Sequence, residues 1–272
     1  MKIPNINKKR VIELLKDGKR LDDRKNYEFR DVIIESGISN KAEGSARVRI
    51  GKTEVIVGVK LSTQEPYSDH ADEGTMMTGM EFSPVSGERY ESGPPSINAI
   101  EVSRVVDRGI RESGFIDWKG LCIEENKKVW SISIDMYCIN DDGNVLDACS
   151  IAAVSALLIS KFPVYDKETE MVKYDELTDT PLPLSKNIPF AMTFYKIGEE
   201  LLVDPNREEE DSADSRLTLA LSHNGKDMMI NSMQKGELIP ITGEDLDKVI
   251  EHSEKVYEAV FPGIDKQIKA LK

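Results

Sequence analysis

The stretch VDPNREEEDSADSRLTLAL, residues 203–221, holds six carboxylates in the eleven positions from Asp204 to Asp214 and then places Arg216 where a strand begins. Carboxylates at this density suit a hard-cation site, since Mg²⁺ and Ca²⁺ take oxygen ligands. They also suit a general acid–base pair, provided burial raises the pKa of one member. The third reading is a solvated turn. No glycine sits where a tight calcium loop would turn, and Pro205 stiffens the start of the run. So many neighbouring charges favour exposure, and composition alone predicts the solvated turn.

A second grouping lies at 97–113, where Arg104, Arg108 and Arg111 fall at i, i+4 and i+7. On a helix they form one narrow stripe opposite the apolar face of Ala99, Val102, Val105, Val106, Gly109 and Ile110. Guanidiniums grip phosphates with two hydrogen bonds, so the stripe is either a local patch for a nucleic-acid backbone or a solvated face paired to Glu101, Asp107 and Glu112. The turn DDGN, 141–144, precedes a helix of small residues and resembles a phosphate-cradling turn, with Gly143 permitting close approach. His70, His223 and His252 have no ligand spacing, and Cys122, Cys138 and Cys149 form no Cys-x-x-Cys pair. Reduced thiols and no zinc site are expected, which points to the cytoplasm.

These residues need elements to hold them. The 272 residues suffice for one large domain or two small ones, and 36 Lys and Arg against 49 Asp and Glu give a formal net charge of −13. That balance opposes nonspecific attraction to a polyphosphate, so any nucleic acid must meet a local basic patch. No window reaches the roughly 18 apolar residues of a membrane span and the N-terminus lacks an apolar h-region, so neither membrane insertion nor export is expected. Val11, Leu14 and Leu15 predict a short first helix ending near Gly18. RDVIIESGIS and GSARVRIGKTEVIVGVKLS predict strands with a turn at Gly51-Lys52. From Ser62 to Pro95 an irregular excursion carries one more strand. Ser96 caps the arginine helix, KKVWSISIDMYCIN alternates as a half-buried strand, and DACSIAAVSALLIS is a core helix. A linker with Pro163, Pro181 and Pro183 leads to a hairpin turning at Gly198, then two strands around Asn224-Gly225. Thr242 opens a closing helix through about Val260.

Five segments, GKRLDDRKNYEFRDV, KAEGSARVRIGKTEVIVGVK, the Arg104 helix, DDGNVLDACSIAAVSALL and LVDPNREEEDSADSRLTLAL, resemble the RNase PH family and follow its order over about residues 18–260. The resemblance implies an α/β (α+β) fold of the ribosomal protein S5 domain 2-like kind. It has two βαβ-type lobes with mixed sheets covered by helices: 1–30 as an N-terminal helix and extension, 31–186 as the first lobe and 187–272 as the second. Active members use phosphate to cleave the terminal phosphodiester of RNA. Their turn reads Gly-Gly-Thr-Arg-Thr where this chain has Gly143, Asn144, Val145, Leu146 and Asp147, and their second carboxylate stands where this chain has Arg216. Leu146 cannot bind phosphate, Glu210 replaces one Asp, and Arg216 cannot serve as an acid near neutral pH.

The resemblance is to the noncatalytic, RNase PH-like members of the archaeal exosome. It implies a subunit without a cofactor, paired with a catalytic RNase PH-like partner as a heterodimer, three per hexameric ring, beneath RNA-binding cap subunits. Arg104 and Arg108 match the RNA-contacting positions, and Arg111 completes their stripe. The competing expectations are an active phosphate-dependent 3′ exoribonuclease using Glu210 with Asp211 or Asp214, and a divalent-metal-binding protein built on the acidic run.

Overall fold

The computed structural model describes residues 5–223 and 227–271. Helix α1 (Asn5–Lys16) buries Val11 and Leu15 against Tyr195, Ile197 and Leu202. Six strands follow in the first 140 residues: β1 (Val32–Ser36), β2 (Gly44–Ile50), β3 (Thr53–Gln64), β4 (Thr75–Phe82), β5 (Cys122–Glu124) and β6 (Lys128–Asn140). They form one sheet in the order β1-β2-β3-β6-β4, with β5 on the edge of β6. The β4–β6 pairing is parallel and the other pairings are antiparallel. The β2–β3 turn falls at Gly51, whose φ of +57° is left-handed and suits glycine. Alternation puts Val48 opposite Val55 and Ala46 opposite Val57, all fully buried.

Helix α2 (Ile97–Arg111) interrupts this sheet between β4 and β5 and lies against β4. Ser96 accepts the Ala99 amide at 3.2 Å, the N-cap expected from the sequence. Helix α3 (Val145–Ile159) is buried on nearly every side because it lies between two sheets, touching β2 and β3 on one and β9 on the other. Gly44 of β2 permits close approach: a Cβ there would stand 2.4 Å from the Ala156 carbonyl.

The stretch expected as a linker is instead a hairpin, β7 (Lys161–Asp166) and β8 (Met171–Pro181). Prolines read as breakers, but a two-stranded sheet has free edges, and the register shifts on both sides of Pro163 accommodate the missing donor. β8 exposes most of its residues, so it carries no buried-face alternation to read. The second sheet contains β9 (Phe190–Ile197), β10 (Glu200–Val203), β11 (Ser215–His223) and β12 (Met228–Gly236), antiparallel throughout in the order β10-β9-β11-β12. The β9–β10 hairpin turns at Gly198, φ +63°. The Asn224-Gly225 turn lies outside the described residues. Between β10 and β11 the acidic run folds a short helix, α4 (Arg207–Asp211).

Helix α5 (Gly243–Ala270) starts at Thr242 in a capping box with Asp245 and runs ten residues past the expected end at Val260. Phe261-Pro262-Gly263 reads as a stop, yet Ile264 and Ile268 continue the buried stripe of Val249 and Val256. Packing of that stripe outweighs the local breakers. One apolar core runs through both sheets and joins α2, α3 and α5. No helix among the described residues is long and apolar enough to cross a membrane.

Candidate functional site

The acidic run is not a solvated turn. Only Glu208 of its six carboxylates is exposed, and Asp204 and Glu209 are fully buried. Asp204, at a left-handed φ of 46°, accepts Arg30 Nη2 at 2.7 Å, Arg30 Nε at 2.9 Å, the Arg30 amide at 2.8 Å, Arg24 Nη1 at 2.9 Å and Asn144 Nδ2 at 2.9 Å. Burial pushes its pKa up, but the hydrogen bonds and charge of Arg30 and Arg24 outweigh that and hold it below the ordinary carboxylate range. Glu209 closes the capping box with Asn206 and also takes a two-pronged pair from Arg20, 2.6 and 3.1 Å, with neither side chain reaching solvent. Composition missed this because it counts charges without their partners. The partners sit in the N-terminal extension, some 170 to 190 positions earlier.

Leu146, Glu210 and Arg216, distant in sequence, line one cavity of about 220 Å³ with Arg89, Tyr90, Glu101, Asp141, Tyr195, Arg207 and Asp211. Arg207 links three of its carboxylates. Its guanidinium contacts Asp141 at 3.0 Å, Glu210 at 3.4 Å and Asp211 at 2.5 Å. Arg89 forks onto Asp211 at 2.8 and 2.5 Å, and the Tyr90 hydroxyl donates to Asp141 at 2.5 Å while its ring stacks on Phe82. Arg216 pairs with Glu101 of α2. Apart from the exposed Glu237, the carboxylates lining the cavity are therefore matched internally. Burial raises the Asp211 pKa, but Arg89 and Arg207 outweigh it, so Asp211 lies below its ordinary value and is poorly suited to donate a proton. Asp214 does not line the cavity: Lys8 holds it at 2.6 Å and the Gly198 amide at 2.8 Å. Arg89, Tyr90, Tyr195 and Arg207 are not among the residues expected from the sequence, and Asp141 is expected there only as part of the DDGN turn; of the four, Arg207 alone carries a local signal, a cation inside the acidic run.

The DDGN turn does not present an open cradle. Gly143 (φ +85°) and Asn144 (φ +59°) curl the chain into α3, but a Cβ on Gly143 would meet the Pro205 carbonyl at 2.5 Å. The glycine admits the 204–206 backbone. The amides are engaged too: Gly143 donates to Asp141 at 3.1 Å and Asn144 to Glu210 at 2.8 Å, so a carboxylate of the chain already sits at the helix N-terminus. Leu146, 3% exposed, fills the first turn of α3. Among the described residues no group of three or more His, Cys, Asp or Glu is arranged to hold a metal ion. The three histidines are dispersed, and His252 stacks on Tyr27 with ring centroids 4.0 Å apart. Burial pushes the Cys138 thiol up to about 12.

Asp147, one residue beyond Leu146, is fully buried and bonds the Thr193 hydroxyl at 2.6 Å and amide at 3.1 Å. Burial raises its pKa to about 7 despite those bonds. The unfolded chain releases this proton near pH 4, so between about pH 4 and 7 the folded state binds more protons and stability declines as pH rises, by at most about 1.4 kcal/mol per unit. Asp147→Asn is expected to flatten that decline when urea unfolding is measured from pH 5 to 7. Asp204 acts in the opposite sense and in a separate window, losing its contribution only as pH falls through its lowered pKa.

On α2 the structure puts Arg104, Arg108 and Arg111 on the solvent side, opposite the buried face predicted for them. Arg111 is engaged: it pairs with Asp107 at 3.0 and 2.8 Å, donates to the Met76 carbonyl at 3.1 Å and lies over the Trp118 ring at 5.4 Å. Arg104 and Arg108 have no ion pair among the described residues, and they line an open groove with Met77, Ile97, Ile100 and Ser232. Two unpaired guanidiniums on a rigid helix are suited to phosphate oxygens.

The sequence pattern of the 3′ exoribonuclease family, domain 1, matches residues 28–163, and that of domain 2 matches residues 187–256. The chain is 39% identical to the exosome complex component Rrp42 of Methanothermobacter thermautotrophicus over 98% of this chain and 97% of that one. It is 45% identical to the protein of the same name from Thermococcus gammatolerans over 85% and 84%. Among solved structures it is similar to a chain of the Archaeoglobus fulgidus exosome with RNA bound to the active site, with TM-score 0.82 and 38% identity over 91% and 93% of the two chains. A chain of an archaeal exosome core also gives TM-score 0.82, with 35% identity over 96% and 97%.

Proposed function

The chain belongs to the RNase PH family of 3′ exoribonucleases, and from that premise we propose that it is a noncatalytic subunit of an exosome of the archaeal type, guiding RNA to a catalytic RNase PH-like partner. The observation that carries this reading is a contrast within one molecule. The cavity around Leu146, Glu210 and Arg216 is closed by its own ion pairs, while Arg104 and Arg108 stand unpaired on the adjoining helix. A phosphorolytic site needs a cation free for phosphate and an acid able to give a proton. Here Arg207 and Arg89 are bound to carboxylates, and Asp211 is held ionised between them.

An acidic chain that handles RNA needs its cations exposed and local, and the α2 stripe meets that requirement. Arg111 supports the stripe from its end by fixing the last turn of α2 to β4. The partners that follow from the reading are the catalytic homologue, alternating with this chain three of each in a hexameric ring, and RNA-binding cap subunits above it. No cofactor enters.

The test is Arg104→Ala with Arg108→Ala in the assembled ring, whose size is checked first. Both side chains point away from the core, so folding is expected to survive. RNA binding is expected to weaken by roughly 1.5 to 3 kcal/mol for each lost guanidinium–phosphate contact, independent of RNA sequence. The slope of log affinity against log salt should become shallower by up to about two units. An intact ring whose affinity and salt slope both match wild type would remove the RNA-guiding half of this reading.

A further inference from the structure

Arg216 lies on β11, in the second sheet, yet its guanidinium reaches Glu101 in the first half of α2. The contact is sheltered, with Arg216 12% and Glu101 31% exposed at the side chain. The floor beneath it is Gly236, the cross-strand partner of Arg216 on β12, where a Cβ would stand 2.5 Å from Arg216 Nε and 2.8 Å from its central carbon. The guanidinium thus lies flat over a glycine in a slot that fits it.

Glu101 has a second option. It lines both the closed cavity that holds Arg216 and the open groove that holds Arg104 and Arg108. On a helix, residues three apart are neighbours, so Glu101 and Arg104 are within pairing reach once Glu101 is released. Of the other carboxylates in the groove, Asp107, three residues after Arg104, is likewise occupied, by Arg111, whereas Glu112 lies at the far end beside Arg108 and is exposed. Arg104 owes its freedom to where Glu101 and Asp107 are held.

We propose that Arg216 is a positioning residue for RNA recognition: by binding Glu101 it withholds that carboxylate from Arg104 and leaves the arginine stripe open to phosphates. The inference rests on the RNA-guiding reading above and assigns its regulation to a residue that touches no RNA. In this role Arg216 is a charge sink for one acid. Without it, Glu101 turns outward and neutralises the nearest guanidinium of the stripe.

The experiment compares Arg216→Ala, Glu101→Gln, their double variant and Arg104→Ala, each in the assembled ring, for binding of a single-stranded oligoadenylate across a salt series. Arg216→Ala is expected to weaken binding about tenfold, with a salt slope shallower by about one unit, because it mimics the loss of one phosphate contact. Glu101→Gln should bind as well as wild type. Adding Glu101→Gln to Arg216→Ala should restore affinity and slope although the ion pair stays broken. A pair that only braced the helix would give no such rescue, so failure of the double variant to recover overturns the proposal. If Arg216→Ala binds as wild type while Arg104→Ala is impaired, the proposal falls and the RNA-guiding reading stands. If Arg104→Ala is itself unimpaired, both fall together.

Discussion

Glu209→Ala is expected to unfold at a far lower urea concentration than the wild-type chain, with a loss of about 3 to 5 kcal/mol. Glu209 and Arg20 are both sealed from solvent, and Arg20 also donates to the carbonyls of Val203 and Asp204 at 3.0 and 2.9 Å. Removing the carboxylate strands a buried guanidinium beside carbonyls alone, and the desolvation cost of that charge then goes uncompensated. The capping box of α4 disappears in the same step, which adds roughly 1 kcal/mol. Arg20→Ala should be comparably damaging. Replacing the pair by Arg20→Met with Glu209→Leu should recover much of the loss, since matched apolar groups need no counterion. Glu208→Ala, one residue away and exposed, should stay within about 0.5 kcal/mol and serves as the control. A loss below about 1 kcal/mol for Glu209→Ala would mean that water or a rearranged neighbour solvates Arg20, contrary to the packing described.

Leu146→Arg alone is expected to yield no nucleoside diphosphate from RNA above a blank, and so is Arg216→Asp alone. A guanidinium at 146 enters a cavity whose carboxylates, Asp141, Glu210 and Asp211, are already held by Arg207 and Arg89. It competes for them and has no reason to wait for phosphate. Because Leu146 is packed into the first turn of α3, the larger side chain also costs roughly 1 to 3 kcal/mol of stability. Arg216→Asp removes a cation and frees Glu101 beside a new acid, but supplies no phosphate ligand. Groups that act as a unit fail together, so partial repair is expected to leave rates at least about a thousandfold below an active enzyme. Chromatography of the released nucleotides after long incubation checks this. Product from either single variant would show that the internal ion pairs do not close the site.

Helix α2 was readable in the sequence because its signals are local: a serine cap at 96, apolar residues every three to four positions, and arginines in the gaps. The β2–β3 hairpin was readable for the same reason, a strict alternation broken at Gly51. What the sequence hid depends on distant partners. Whether Asp204, Glu209 and Asp211 are solvated or buried is decided by Arg20, Arg24, Arg30 and Arg89, and nothing in the spacing of the acidic run announces those cations. The resemblance located Leu146, Glu210 and Arg216, but their convergence on one cavity, and the pairing of Arg207 with three of its carboxylates, follow only from the packing of α3 between the sheets. The β7–β8 hairpin and the last turns of α5 were hidden by prolines whose local penalty is outweighed by edge position and by packing.

The central claim, that this chain contributes arginines and no chemistry, is tested most directly by incubating RNA and inorganic phosphate with the isolated chain and, in parallel, with the chain mixed with its catalytic homologue. Particle size is recorded for both. The isolated chain is expected to release no nucleoside diphosphate at any phosphate concentration, and the mixture to form a larger particle that does release nucleoside diphosphates. Phosphate-dependent product from the isolated chain, abolished by Glu210→Gln, would contradict it and restore the cavity as an active site.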